Sequence, residues 1–281
     1  MSLIRIGSDP EVFLKSKVDG RLVSSIGIIP GSKHRPFKTA NGSVQPDNIT
    51  AEFNSNPSSI ASEFVANHKA IMADLESIIK PYELELLILS SVVAPKSILN
   101  HPDAVRAGCQ PDFNVWEERD NATPMLVGGL RGAGGHLHIS FPQVEGRSDR
   151  ESIRLRCDYV KGCDMILGVP SVIIDRDKRR KKLYGKAGAA RLKFKDYHGY
   201  DGVEYRTLSN FWLASDELMS WAFNSAKRVG DNLELISKVA KDNGETLVDI
   251  INNGSVSKAK NFIKANYEIY EGLLEEVLCV Q

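Results

Sequence analysis

Apolar residues alternate with polar ones over four short stretches of the chain, and each stretch carries two polar groups spaced i, i+2. These are Asp9/Glu11 in Ile6-Gly-Ser-Asp-Pro-Glu-Val-Phe-Leu14, Glu52/Asn54 in Ile49-Thr-Ala-Glu-Phe-Asn54, His136/His138 in Gly134-Gly-His-Leu-His-Ile-Ser140, and Glu204/Arg206 in Val203-Glu-Tyr-Arg206. Period-2 alternation predicts strands, and residues two apart on a strand share a face. If the four are strands of one sheet, acids, imidazoles and a guanidinium gather on one surface. Such a surface is costly unless cations and a ligand neutralise it.

A helical period appears elsewhere. Ile60, Phe64, Ile71, Leu75 and Ile78 predict a helix that starts after Asn56-Pro-Ser-Ser59 and stops at Pro81. Ser148-Asp-Arg-Glu151 reads as a capping box opening a helix through Ile153, Tyr159, Cys163 and Leu167, which Gly168 and Pro170 should end. Residues 216–241, 245–251 and 257–278 read as helices, and Leu84 to Val93 as one buried strand. Residues 18–47 are rich in Gly, Pro and Lys and predict a hairpin and loop, while 95–133 show turn formers without periodicity. A long irregular stretch of that kind usually serves function. The expected class is α+β: a mostly antiparallel sheet with one open polar face and helices packed on the other. No GxGxxG or GxxxxGK[ST] loop opens a helix after a strand, which argues against a dinucleotide fold or a P-loop.

Composition narrows the classes. The 36 Lys and Arg balance the 36 Asp and Glu among 281 residues, which speaks against nucleic acid and membrane surfaces as partners. The start lacks the basic and apolar regions of a signal peptide, and the most apolar stretch, Leu84 to Ala94, contains Glu85 and is far too short to span a bilayer. Cys109, Cys157, Cys163 and Cys279 have no CxxC spacing and read as free thiols. A cytoplasmic protein is expected.

Each polar pair has a plain reading: Asp9-Pro10 as a turn, Glu52 as a solvent-facing strand position, a lone histidine as a satisfied core residue, Glu204/Arg206 as an ion pair. The functional reading is stronger jointly, because four plain readings would have to coincide in face geometry. Asp9 and Glu11 offer hard oxygens suited to Mg²⁺ or Mn²⁺, and Asp47 could add another from the turn before Glu52. The histidine pair is spaced too closely for a helical zinc motif, and no cysteine ligands accompany it. Arg206 offers a planar fork for phosphate or carboxylate. Arg191 and Lys193, again i, i+2, are candidates for nucleotide phosphates, and Lys33 is a weaker one; Lys178–Lys182 reads as a solvated charge run. Acids for divalent cations beside cations for phosphate are what phosphoryl transfer needs.

The ordered set Gly7-Ser-Asp-Pro-Glu11, Asp47…Glu52, Gly134-Gly-His-Leu-His-Ile-Ser140, Tyr184-Gly-Lys-Ala-Gly188 and Glu204-Tyr-Arg-Thr-Leu-Ser-Asn-Phe-Trp212 resembles the phage-type carboxylate–amine ligases, of the glutamine synthetase/glutamate–cysteine ligase fold group. The resemblance covers roughly residues 3–215 and implies a catalytic core over 1–215, with a helical C-terminal part, 216–281, packed on the same domain. It further implies a curved sheet forming a metal-holding funnel, with ATP and Mg²⁺ (or Mn²⁺) as cofactors. The implied reaction passes the γ-phosphoryl to a carboxylate substrate, and an amine substrate then displaces phosphate to form an amide. Asp9, Glu11, Glu52, His136 and Glu204 take the metal roles; His138 and Lys193 lie on the nucleotide side; Arg191, Arg206 and His136 face the transferred group. Asp9 is a methylene shorter than the usual glutamate of this motif. No base for the amine is recognisable, and Gln110, Asp112 and Asn114 are expected to contact substrate. A guanidino-kinase-type phosphotransferase and a non-catalytic virion or partner-binding protein are the alternative readings. Homo-oligomers are left open, since many members of the wider group assemble.

Overall fold

The computed structural model describes residues 3–105, 112–123 and 128–274. Cys109, Gln110 and Cys279 lie outside the described residues. Eight strands carry the architecture: β1 (Arg5–Ser8), β2 (Glu11–Ser16), β3 (Gly42–Asp47), β4 (Thr50–Ser55), β5 (Leu84–Leu87), β6 (Leu137–Ser140), β7 (Ala189–Lys193) and β8 (Gly202–Tyr205). Shorter strands extend them, and every strand pairing is antiparallel.

The four polar segments are divided between two sheets rather than lying in one. One sheet runs β1-β6-β8-β7 and continues into Phe113–Asn114 and Arg119–Asp120; the other centres on β2, β4 and β3, with β5 also pairing β2. The division falls at Asp9-Pro10, because proline has no N–H to continue a ladder. Residues Arg5–Ser8 pair with β6, whereas Glu11 and Val12 pair with β4. The sheets stay in contact at the break, where Phe53 N donates to Pro10 O at 3.1 Å and Glu11 N to Gly134 O at 2.9 Å. One extended chain thus passes through both sheets, and the polar faces meet around Asp9.

The helices are α1 (Ala61–Ile79), α2 (Arg150–Cys163), α3 (Val169–Ile174), α4 (Asp216–Asp231), α5 (Leu233–Asp242), α6 (Gly244–Asn253) and α7 (Val256–Ala265). They cover the opposite faces of the strands. Val12, Leu14, Ala51, Phe53, Leu137, Ile139, Val203 and Tyr205 share a single apolar cluster with Phe64, Trp212, Phe223, Ile236, Leu247 and Phe262. The C-terminal helices are therefore built on the same core as the strands. Among the described residues no helix is long and apolar enough to cross a membrane.

Several local expectations are corrected. Leu84 to Val93 is two strands, Leu84–Leu87 and Ser91–Val93, which pair in different sheets. The cap of α2 is Asp149, which accepts from Ser152 N at 2.7 Å, in place of Ser148. Pro170 does not end the helical run. A wide turn over Asp164–Gly168, closed by Val169 N to Asp164 O, puts Pro170 at the start of a new helix, where its missing N–H costs nothing. Asn232 (φ −130°, ψ 35°) breaks the long predicted helix into α4 and α5. The polar face is also partly roofed. Phe13, Ile49, Ala94, Ala104 and Ala133 form a second small apolar cluster there. Buried Arg131 pins the roof by donating to Ala104 O at 2.8 Å and 3.2 Å.

Candidate active site

Register does the assembling. His138 lies opposite Glu204 on β6–β8, and Arg191 lies opposite Glu204 on β7–β8, so all three share a face. Lys193 is two residues from Arg191 on that face, while His136 and Arg206 continue it beyond the strand ends. Gly7 is opposite His138, which carries the same face along β1 to Asp9. In the second sheet Glu11 and Gln45 both lie opposite Glu52, with Asp47 two residues beyond Gln45.

One half of the site is cationic. Glu204, 1% exposed, is contacted through Oε1 by Arg206 and by Arg191 at 3.3 Å, and Lys193 Nζ lies 2.5 Å from its Oε2. Burial opposes its charge, but Arg206, His138, Lys193 and Arg191 hold the carboxyl well below its ordinary range. Arg206 also pairs with buried Asp112. The other half is acidic and poorly compensated. Burial and the charge of Asp47 push Glu11 up to about 7. Burial and the charges of Asp9, Asp47 and Glu11 raise Glu52 well above the carboxylate range. Lys33 lies on this half, 3.8 Å from Asp47, and away from Arg191 and Lys193.

Asp9 sits between the halves. Burial disfavours its charge, but His138 and His136 hold it strongly ionised. Its Oδ1 is 3.2 Å from His136 Nδ1 and its Oδ2 is 3.1 Å from His138 Nε2. His136 Nδ1 is also 3.3 Å from Arg206 Nη1. A guanidinium can only donate, so in that contact the nitrogen is the acceptor. Burial and the Arg206 charge lower the His136 pKa, against the opposing pull of Asp9 and Glu204. His138 is held through Nδ1 by Tyr200 OH at 2.9 Å, and this fixes the direction of Nε2.

A metal fits this arrangement. One ligand atom each from Asp9, His138 and Glu204 lies within 4.8 Å of the others. Asp9 Oδ1, His138 Nε2 and Glu204 Oε2 are buried without a well-formed hydrogen bond, held only by the close charge contacts given above. Buried acceptors left in that state are costly, and a shared cation would satisfy all three. Two carboxylates and one imidazole form a hard donor set for Mg²⁺ or Mn²⁺.

The glycines before His136 have a steric reason. A Cβ on Gly134 would strike the His136 ring, and one on Gly135 would strike the Ser209 carbonyl and the Trp212 indole. Of the expected substrate contacts, Asp112 pairs with Arg206, whereas Asn114 Oδ1 accepts from Trp116 N and Glu117 N and so shapes its own turn. The solvated run of 178–182 is interrupted: Arg180 is 3% exposed, because Gly132 and Gly185 leave a slot for its side chain. Tyr200 and Arg180 were missed as site residues, and only the two glycines hinted at Arg180. Beside His138 a cavity of about 440 Å³ opens between the sheets, lined by Arg5, Ser140, His198 and Tyr200.

No family model matches the chain, and no curated protein matches it. Among solved structures it is similar to a GmaS/ADP complex, at 12% identity and TM-score 0.37 over 95% of this chain and 69% of that one. It is also similar to a novel glutamine synthase homolog, at 10% identity and TM-score 0.42 over 98% of this chain and 70% of that one. Neither likeness assigns an activity, and the functional reading rests on the side chains.

Proposed function

We propose that the chain is an ATP- and divalent-metal-dependent carboxylate–amine ligase. The observation that carries this reading is the convergence of one ligand atom each from Asp9, His138 and Glu204 within 4.8 Å, between a cationic half and an under-compensated acidic half. A triphosphate with divalent cations complements both halves at once.

Asp9, His138 and Glu204 would hold one cation. Glu11, Glu52 and Asp47, whose mutual repulsion Lys33, the Gly134 N–H, Arg180 and Arg206 relieve in part, would hold a second. Bound metal would supply Lewis acidity that offsets the charge of the phosphates. The nucleoside end fits the 440 Å³ cavity beside His138, a volume within the usual range for small-ligand sites. Arg191 and Lys193 would turn from Glu204 toward the phosphates, freeing its oxygens for metal, and Arg206 would face the transferred group. A substrate carboxylate oxygen attacks the γ-phosphorus and the bond to the ADP oxygen breaks. The amine nitrogen then attacks the acyl carbon, the acyl C–O bond breaks, phosphate leaves, and the nitrogen gives up a proton.

The test is ADP release across a panel of carboxylates and amines, with mass spectrometry of the product. The expected result is an amide lighter than its two precursors by one water, formed in step with ADP. Glu204→Gln should lower turnover by about 100-fold, on the scale of losing one electrostatic group from a buried site. A stable phosphorylated product with the amine untouched would overturn the ligase reading.

A further inference from the structure

Two neighbouring cations, Arg180 and Lys181, stand behind the site described above, where the charge of Arg180 reaches Glu11. Arg180 donates through Nη1 to Thr207 O at 3.0 Å and through Nη2 to Arg206 O at 3.4 Å, while its buried Nε has no hydrogen-bond partner. The half-buried Lys181 ammonium donates to the carbonyls of Gly185 and Thr207. Among the described residues neither side chain makes an ion pair: the carboxylates whose charge reaches them, Glu11, Asp175 and Asp112 for Arg180 and Asp164 and Asp175 for Lys181, lie beyond ion-pair distance, and their direct partners are carbonyls. An anion in direct contact would lower the cost of holding both charges there.

Both side chains line a cavity of about 160 Å³ between the Asp175–Lys181 segment, the Thr207–Phe211 segment and the start of α7. Its acids are committed elsewhere. Asp175 accepts from Asp177 N at 3.0 Å, Ser90 Oγ at 2.8 Å and Ser209 Oγ at 2.6 Å. Asp177 pairs with Arg179 at 2.8 Å and accepts from Ser91 Oγ at 2.6 Å. Arg176 and Lys178 add further positive charge to the lining. The volume equals roughly five waters at about 30 Å³ each, enough for a phosphate or a short carboxylate and too small for a nucleotide.

We propose that this cavity is a binding site for a small oxyanion, a phosphate or a short monocarboxylate, held between Arg180 Nε and the Lys181 ammonium. The bond is charge-assisted from both sides. Because the two cations grip the carbonyls of Arg206 and Thr207, an occupant also stiffens the strand end that presents Arg206.

Burial and the adjacent Arg180 lower the Lys181 pKa to about 7, so near neutral pH it holds far more free amine than an ordinary lysine. The experiment is timed acylation of the intact wild-type protein near neutral pH, read residue by residue by mass spectrometry. It is run without anion, with inorganic phosphate and with propionate; exposed Lys182, outside the cavity, is the internal control, and a parallel series uses Lys193→Gln. Lys181 acylation should slow about tenfold at an anion concentration ten times its Kd, while Lys182 is unchanged. Protection by phosphate alone or by propionate alone identifies the ligand class. Lys181 reacting equally under all three conditions would overturn the proposal. So would equal protection of Lys182, or protection lost in Lys193→Gln.

Discussion

At the scale of single residues, the site is made by groups whose charges do not balance locally. Glu204 is in direct contact with three cations, whereas Glu11 and Glu52 have their pKa values raised by burial and neighbouring acids, and Asp9 joins the two. Directly beneath this join lies His68, fully buried, with Nδ1 2.6 Å from Phe64 O and Nε2 2.5 Å from Ser8 Oγ, the residue before Asp9. A backbone carbonyl only accepts, so Nδ1 carries the proton and Nε2 accepts from the serine. Burial lowers the His68 pKa from 6.5 to about 4. Between those values the unfolded chain binds more protons than the folded one, so stability rises with pH. The contribution is complete above 6.5 and is lost as pH falls toward 4, amounting to about 3 kcal/mol over the window. Urea unfolding of wild type and His68→Gln across this range should give pH slopes that differ by that amount, the other titrating groups contributing equally to both. An identical slope in both would contradict the assignment.

At the scale of elements, the wide turn after α2 gains meaning from Asp164. This buried carboxylate accepts from Trp116 Nε1 at 2.7 Å, Tyr205 OH at 2.8 Å, Gly188 N at 2.6 Å and Thr207 Oγ1 at 3.3 Å. One side chain thus ties together the segment after Asp112, the loop before β7 and the strand end that carries Arg206. Burial raises its pKa to about 6, the cost of placing it there. Asp164→Ala leaves several buried donors unpaired and should destabilise the fold by about 3–5 kcal/mol in denaturant unfolding. A loss below about 1 kcal/mol would show that the network is not structural. Period-2 alternation was enough to find the four segments that carry the polar pairs and to group those residues by face, because strand parity is a local property, whereas Gly42–Asp47 and Ala189–Lys193 did not read as strands. Breaks that depend on backbone geometry were less legible: the split of Leu84–Val93, the passage through Pro170 and the interruption at Asn232 all follow from tertiary packing.

At the scale of the whole molecule, the α+β class and the helix-covered sheets followed from the alternation of the two periods. The expected segments do converge, but across two sheets hinged at Asp9-Pro10, so the polar surface is a seam with a roof over one half. Long-range register decided what the chain alone could not: that Lys33 faces Asp47, that His138 rather than His136 joins the closest ligand set, and that Arg180 turns inward from a run of charges. The seam also explains why the acidic and cationic halves stay distinct, since each belongs mainly to its own sheet. The central claim is that Asp9, His138 and Glu204 close on a shared divalent ion at that seam. Its most direct test is Mn²⁺ binding, followed by electron paramagnetic resonance with a non-hydrolysable ATP analogue present. Wild type should bind saturably, and Asp9→Asn should weaken binding by about 10- to 100-fold with the fold intact by circular dichroism. Equal Mn²⁺ affinity in the folded variant and in wild type would contradict the account.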